Sequence, residues 1–126
     1  MRNLAIIICS FAFMVLFSMQ VFAAGDVAKG EKVFKKCKAC HVVKKLQNRT
    51  GPHLVNVFGR TAGALDSYKK YSKAMKNSGI VWDEESLDAY LKAPKKYVKG
   101  TRMAFAGLKK DADRANVIAY IKTFSK

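Results

Sequence analysis

The chain has 126 residues, half of them apolar, with 24 Lys and Arg against 9 Asp and Glu and a formal net charge of +15. That length suits one small domain, and three cysteines are too few for a disulfide framework. Such basicity raises nucleic acid as a partner, but the lysines are spread along the chain and no nucleic-acid motif accompanies them.

The first residues lack the character of a domain. Met1-Arg2, an apolar run from Leu4 to Phe17, Ser18 to Phe22 and then Ala23-Ala24 give a positive start, a hydrophobic centre and a small-residue end. This is the pattern of a secretory signal peptide. Residues 1–24 are expected to be removed by cleavage after Ala23 or Ala24, with Val21 three positions back slightly favouring Ala23. A membrane anchor is the rival reading. The stretch is near the lower length limit for a span, is interrupted by Gln20, and runs into Gly25-Asp26 without a spacer. The expected mature domain, 25–126, has about 102 residues and a charge near +14, and keeps only Cys37 and Cys40. Its destination is the periplasm, with no membrane insertion after cleavage and no nucleic acid to meet.

Asp26 is a good N-cap for a first helix with Val27, Gly30, Val33, Phe34 and Cys37 at helical spacing. Its end carries Cys37-Lys38-Ala39-Cys40-His41, the C-x-x-C-H pattern of covalent c-type haem attachment. Each thiol can add across one vinyl group of a porphyrin, and the imidazole that follows can then ligate the iron as a neutral base. Three other uses of these residues are weaker. A thioredoxin-like pair expects a βαβ setting that is absent. A zinc site needs two more ligands, and the remaining cysteine, Cys9, lies in the leader. A structural disulfide gives His41 no purpose.

Residues 42–70 show no sustained period and contain Thr50-Gly51-Pro52 and Gly59, so they read as loop. Ser72 can cap a short helix ended by Asn77-Ser78-Gly79. Asp83 can cap another, with Glu84 and Glu85 in its first turn, a stripe of Leu87, Tyr90 and Leu91, and Pro94 to end it. A further loop runs to about Lys110. Asp111 then opens the last helix, with Val117, Tyr120, Ile121 and Phe124 on one face. Outside the leader only Met75 and Met103 remain as thioether ligands for the far side of an iron. Met75 sits where a helix would pack it, whereas Met103 lies in an irregular segment and is the better candidate. A His/Met iron suits electron transfer and not oxygen binding.

From Gly25 to Phe124 the chain resembles the class I cytochromes c, close to mitochondrial cytochrome c and its soluble bacterial relatives. The resemblance rests on Gly25-Asp26-Val27 with Gly30 and Phe34, Cys37 to His41, Thr50-Gly51-Pro52, Phe58-Gly59-Arg60, Tyr71-Ser72, Gly79-Ile80-Val81-Trp82, Tyr90-Leu91, Pro94-Lys95-Lys96-Tyr97, Gly100-Thr101 with Met103, Phe105-Ala106-Gly107 and Ala119-Tyr120-Ile121, all in family order. It implies an all-α class I cytochrome c fold around one covalently bound haem c, with crossed N- and C-terminal helices in which Gly30 and Phe34 meet Val117 and Tyr120. His41 and Met103 would be the axial iron ligands. Pro52 would present its carbonyl to His41, and Tyr90 would lie near the Met103 sulfur. Arg60, Tyr71, Trp82 and Thr101 would contact the haem propionates. Lys36, Arg49, Lys95, Lys96, Arg102, Lys109 and Lys110 match or neighbour a basic docking ring.

Three positions depart from the family pattern. Lys99 replaces a common proline and is expected to loosen the Met103 loop; Met75 replaces asparagine; His53 follows Pro52 and is expected to be satisfied or exposed, not a ligand. The function implied is that of a monomeric one-electron carrier and not an enzyme. It would receive its electron from a cytochrome bc-type complex and deliver it to a terminal oxidase or similar acceptor, these being its acidic redox partner proteins. A small peroxidase would need a vacant distal site and an acid–base group, against Met103, and a redox or gas sensor would need a partner domain.

Overall fold

The computed structural model describes residues 23–126, so what is expected of the leader at 1–22, including Cys9, lies outside the described residues. Five helices follow in order: α1 Val27–Phe34, α2 Lys73–Lys76, α3 Glu84–Lys92, α4 Pro94–Tyr97 and α5 Asp111–Lys122. The fold is all-α, as the resemblance implied; the extended pairing among the described residues is one isolated antiparallel bridge, Thr61 with Val81.

Asp26 caps α1 by accepting from the Lys29 N–H at 2.9 Å. Asp83 begins α3 in a capping box closed by Ser86, whose hydroxyl accepts from the Asp83 N–H at 2.9 Å while Asp83 accepts from the Ser86 N–H at 2.7 Å. Ser72 caps α2 through the Met75 N–H, and Gly79 follows with φ 68°. Pro94 does end α3, but it also starts α4, a one-turn helix where a continuous loop was expected. Proline costs nothing at that position, because the first turn has no intrahelical use for its N–H.

The core is centred on the crossing of α1 and α5. Gly30 makes the crossing close: a Cβ there would collide with the Asn116 carbonyl and stand 2.7 Å from Tyr120 Cβ. Phe34 packs on Tyr120 with ring centroids 5.4 Å apart, and Val117 is fully buried. The Asp26 N–H donates to Asn116 Oδ1 at 2.8 Å, which fixes the chain entering α1 on α5. Val27, expected on the buried stripe, is exposed although the chain on either side of it, at Gly25-Asp26 and Gly30, is pressed on α5. Leu87 and Tyr90 are buried on α3, while Leu91 and Phe124 are half-buried against the same core.

Candidate functional site

Beyond α1 the backbone continues in turns, with the His41 N–H donating to the Cys37 carbonyl at 2.9 Å and the Cys40 N–H to the same oxygen at 3.1 Å. This coil brings both cysteines and His41 onto one short piece of backbone. The two thiols are unpaired and half-buried. Burial pushes the Cys37 thiol up to about 11, against the opposing charge of Lys36. The free side chain is therefore a thiol and not a thiolate at neutral pH. Among the described residues no group of three His, Cys, Asp or Glu could hold a metal ion, which leaves the zinc alternative without a ligand set.

His41 Nδ1 lies 2.7 Å from the Pro52 carbonyl oxygen. Because a carbonyl only accepts, this contact requires the proton on Nδ1 and leaves Nε2 with its lone pair. Burial lowers the His41 pKa, and the hydrogen bond to Pro52 only partly opposes that effect, so the ring is held neutral. Gly51 stands against the ring: a Cβ there would lie 2.8 Å from both ring nitrogens. The loop behind this contact is fastened by two residues that the sequence reading did not use in that way. Asn48 accepts from the His53 N–H at 3.0 Å and donates to the Ser67 carbonyl at 2.9 Å. The Arg49 guanidinium, expected only in the docking ring, donates to the Lys38 carbonyl inside the haem motif at 2.8 Å. An asparagine next to Thr50-Gly51-Pro52 is the local signal that could have found the first; the second has none.

Met103 lies near His41. The Tyr90 hydroxyl points at its sulfur, 3.7 Å away, and is 3.0 Å from Thr101 Oγ1, which also accepts from the Met103 N–H at 3.3 Å. Tyr90 thus connects α3 to both residues of the irregular segment. Met103 is half-buried, whereas Met75 is buried within the core. Lys99 does not leave the segment unfastened, since Thr101 N–H donates to Val98 O at 3.1 Å and Val98 N–H to Pro94 O at 2.9 Å.

Arg60 and Trp82 are brought side by side by backbone pairing: Trp82 N–H donates to Arg60 O at 3.0 Å and Gly59 N–H to Trp82 O at 2.7 Å. The Arg60 guanidinium also donates to the carbonyls of His53 and Val55. Its charge lies close to Tyr71, whose pKa is raised by burial and pulled partly back by Arg60. His53 corrects one expectation. It is neither exposed nor satisfied, being buried with an Nδ1 that has no partner, because Asn48 and Arg60 engage only its backbone.

The residues present suit a c-type haem. The donor set is an oriented neutral imidazole and a thioether, next to two free thiols at the attachment spacing. The family model for cytochrome c matches residues 27–125. The chain is 50% identical to cytochrome c2 of Rhodomicrobium vannielii over 110 residues, covering 86% of this chain and 87% of that one. It is 51% identical to cytochrome c of Euglena viridis over 100 residues, covering 79% and 97%. Among solved structures, cytochrome cH from Methylobacterium extorquens superposes with a TM-score of 0.73 at 46% identity, over 79% of this chain and 99% of that one. Family model, relatives and fold agree along the length of the described domain, and the chain belongs to the cytochrome c family, as an electron-transfer protein with one covalent haem c.

Proposed function

We propose that the chain is a one-electron shuttle with His41 and Met103 as axial ligands and thioether links at Cys37 and Cys40. The observation that carries this is the pairing of two prepared donors: an imidazole fixed in one tautomer by Pro52, and a thioether that meets the Tyr90 hydroxyl while Thr101 holds the Met103 backbone N–H. The haem supplies the ferric/ferrous couple. The protein's part is to keep both ligands in place in either state, so that little rearrangement accompanies transfer. Arg60, Tyr71, Trp82 and Thr101 serve the propionate edge, where a buried carboxylate needs donors or a cation. A peroxidase is disfavoured, because Met103 is backed by a hydrogen bond and not by an acid–base group.

Export fits this function. Residues 1–24 act as a cleaved signal peptide, residues 25–126 form the domain, and the protein works as a periplasmic monomer. No helix among the described residues is long and apolar enough to cross a membrane. The partners are acidic redox proteins, a cytochrome bc-type complex as donor and a terminal oxidase or similar acceptor, met through Lys36, Arg49, Lys95, Lys96, Arg102, Lys109 and Lys110. All seven are exposed. The test of the ligand set is spectroscopic. Met103→Ala should abolish the sulfur–iron charge-transfer band of the ferric holoprotein and lower its potential, while Met75→Ala keeps the band. The reverse pattern would assign the ligand to Met75.

A further inference from the structure

Arg114 is a charged side chain only 3% exposed, in the first turn of α5. A charge that deep is tolerated only when each donor is used. Its Nε donates to Asp88 Oδ1 on α3 at 2.7 Å, and Nη2 donates to Asp111 Oδ1 at the start of α5. The remaining contacts go elsewhere: Nη1 donates to the carbonyls of Leu108 at 2.8 Å and Lys109 at 3.2 Å. Those carbonyls end the segment that contains Met103.

The segment depends on its ends. Ala104, Phe105 and Ala106 donate no backbone–backbone hydrogen bond among the described residues. At one end Thr101 is held by Tyr90 and Val98. At the other, Leu108 is buried and its N–H donates to Leu91 O at 2.8 Å, while Gly107, at φ 103°, lies so close to Lys92 that a Cβ would stand 2.9 Å from its carbonyl carbon. Met103 is therefore strung between two anchors, and the guanidinium closes the second one from below.

We infer that Arg114 is a positioning residue for Met103: by gripping the Leu108 and Lys109 carbonyls from a site fixed to α3 and α5, it resists displacement of the thioether from the iron. This rests on the assignment of Met103 as ligand. Lysine in its place keeps the charge but cannot reach two carboxylates and two carbonyls at once, because the forked geometry is lost.

The test uses ferric holoprotein and added imidazole, which competes with the methionine sulfur and is followed by loss of the charge-transfer band. In Arg114→Lys the apparent affinity for imidazole should rise about tenfold and the reduction potential should fall. Lys122→Gln is the control, because Lys122 also ties α5 to α3, through Glu84, without touching the Met103 segment. It should leave the imidazole affinity within about twofold of wild type. Should Arg114→Lys fail to fold, Asp111→Asn keeps the guanidinium but weakens one of its anchors, and should raise the affinity in the same direction by a smaller factor. Unchanged imidazole affinity in Arg114→Lys, or in Asp111→Asn where the first does not fold, overturns the inference, as does an equal rise in Lys122→Gln. Retention of the band in Met103→Ala overturns the ligand assignment instead, so the two failures are told apart.

Discussion

His41 and His53 face the same physical problem with different provisions. Both rings are drawn toward the neutral state by burial, but His41 has the Pro52 carbonyl for its Nδ1 proton, whereas His53 Nδ1 has no partner and the Arg60 charge adds to the depression. For His53 the consequence has a definite sign. Its folded pKa lies below the unfolded value, so the unfolded chain binds more protons as the pH falls through the 6.5 region. Stability linked to His53 is thus present above that region and lost on acidification, with a slope of at most about 1.4 kcal/mol per pH unit for one group. His53→Asn should flatten this limb in urea unfolding followed from pH 8 to 5; an unchanged slope would show that the ring titrates alike in both states. Individual residues were legible in the sequence where covalent chemistry restricts spacing, as at Cys37, Cys40 and His41. The partners were illegible where a side chain serves a backbone carbonyl outside its own element, as Arg49 serves Lys38 and Arg114 serves Leu108. For Arg114 one signal existed: it shares a helix face with Val117, Ile118 and Ile121, where an unpaired charge is unaffordable.

At the level of elements, the helix starts were readable because capping is local. Asp26, Ser72 and Asp83 each accept from a backbone N–H three residues on. The α4 turn was missed because Pro94 both stops one helix and starts the next, and a four-residue helix carries no period to detect. The α1–α5 crossing shows how a small residue dominates an interface. Replacing Gly30 by alanine gains about 1 kcal/mol in helix propensity, yet the new methyl meets the backbone of Asn116, which cannot swing aside as a side-chain tip would. The overpacking cost of about 1–3 kcal/mol therefore wins. Gly30→Ala should lower the urea midpoint while leaving the ferric spectrum intact. A midpoint equal to or above wild type would mean that the crossing has slack.

Over the whole molecule the charges are unevenly shared. Of the 9 acidic residues, all but Asp66 lie on or cap α1, α3 and α5. Lys95 and Lys96 stand instead on α4, beside the segment that carries Met103. Association with an acidic redox partner should slow as salt rises, since screening shortens the field to about 8 Å at physiological ionic strength. Reversing Lys95 and Lys96 to Glu should slow it strongly with the spectrum unchanged, whereas reversing Lys29 on α1 should matter less per charge. Equal effects per charge would mean that the net charge acts as one global field, and the local docking face would be abandoned.

The first and last helices of the described residues are distant in sequence yet packed together, and Gly25-Asp26 is seated on α5 through Asn116. A domain clasped in this way cannot close until α5 is available, so during synthesis the packing around Cys37 to His41 waits for α5 to arrive. The clasp is thus also a clock. It leaves an interval in which both thiols are accessible for thioether formation, and it ends that interval only when α5 has been delivered.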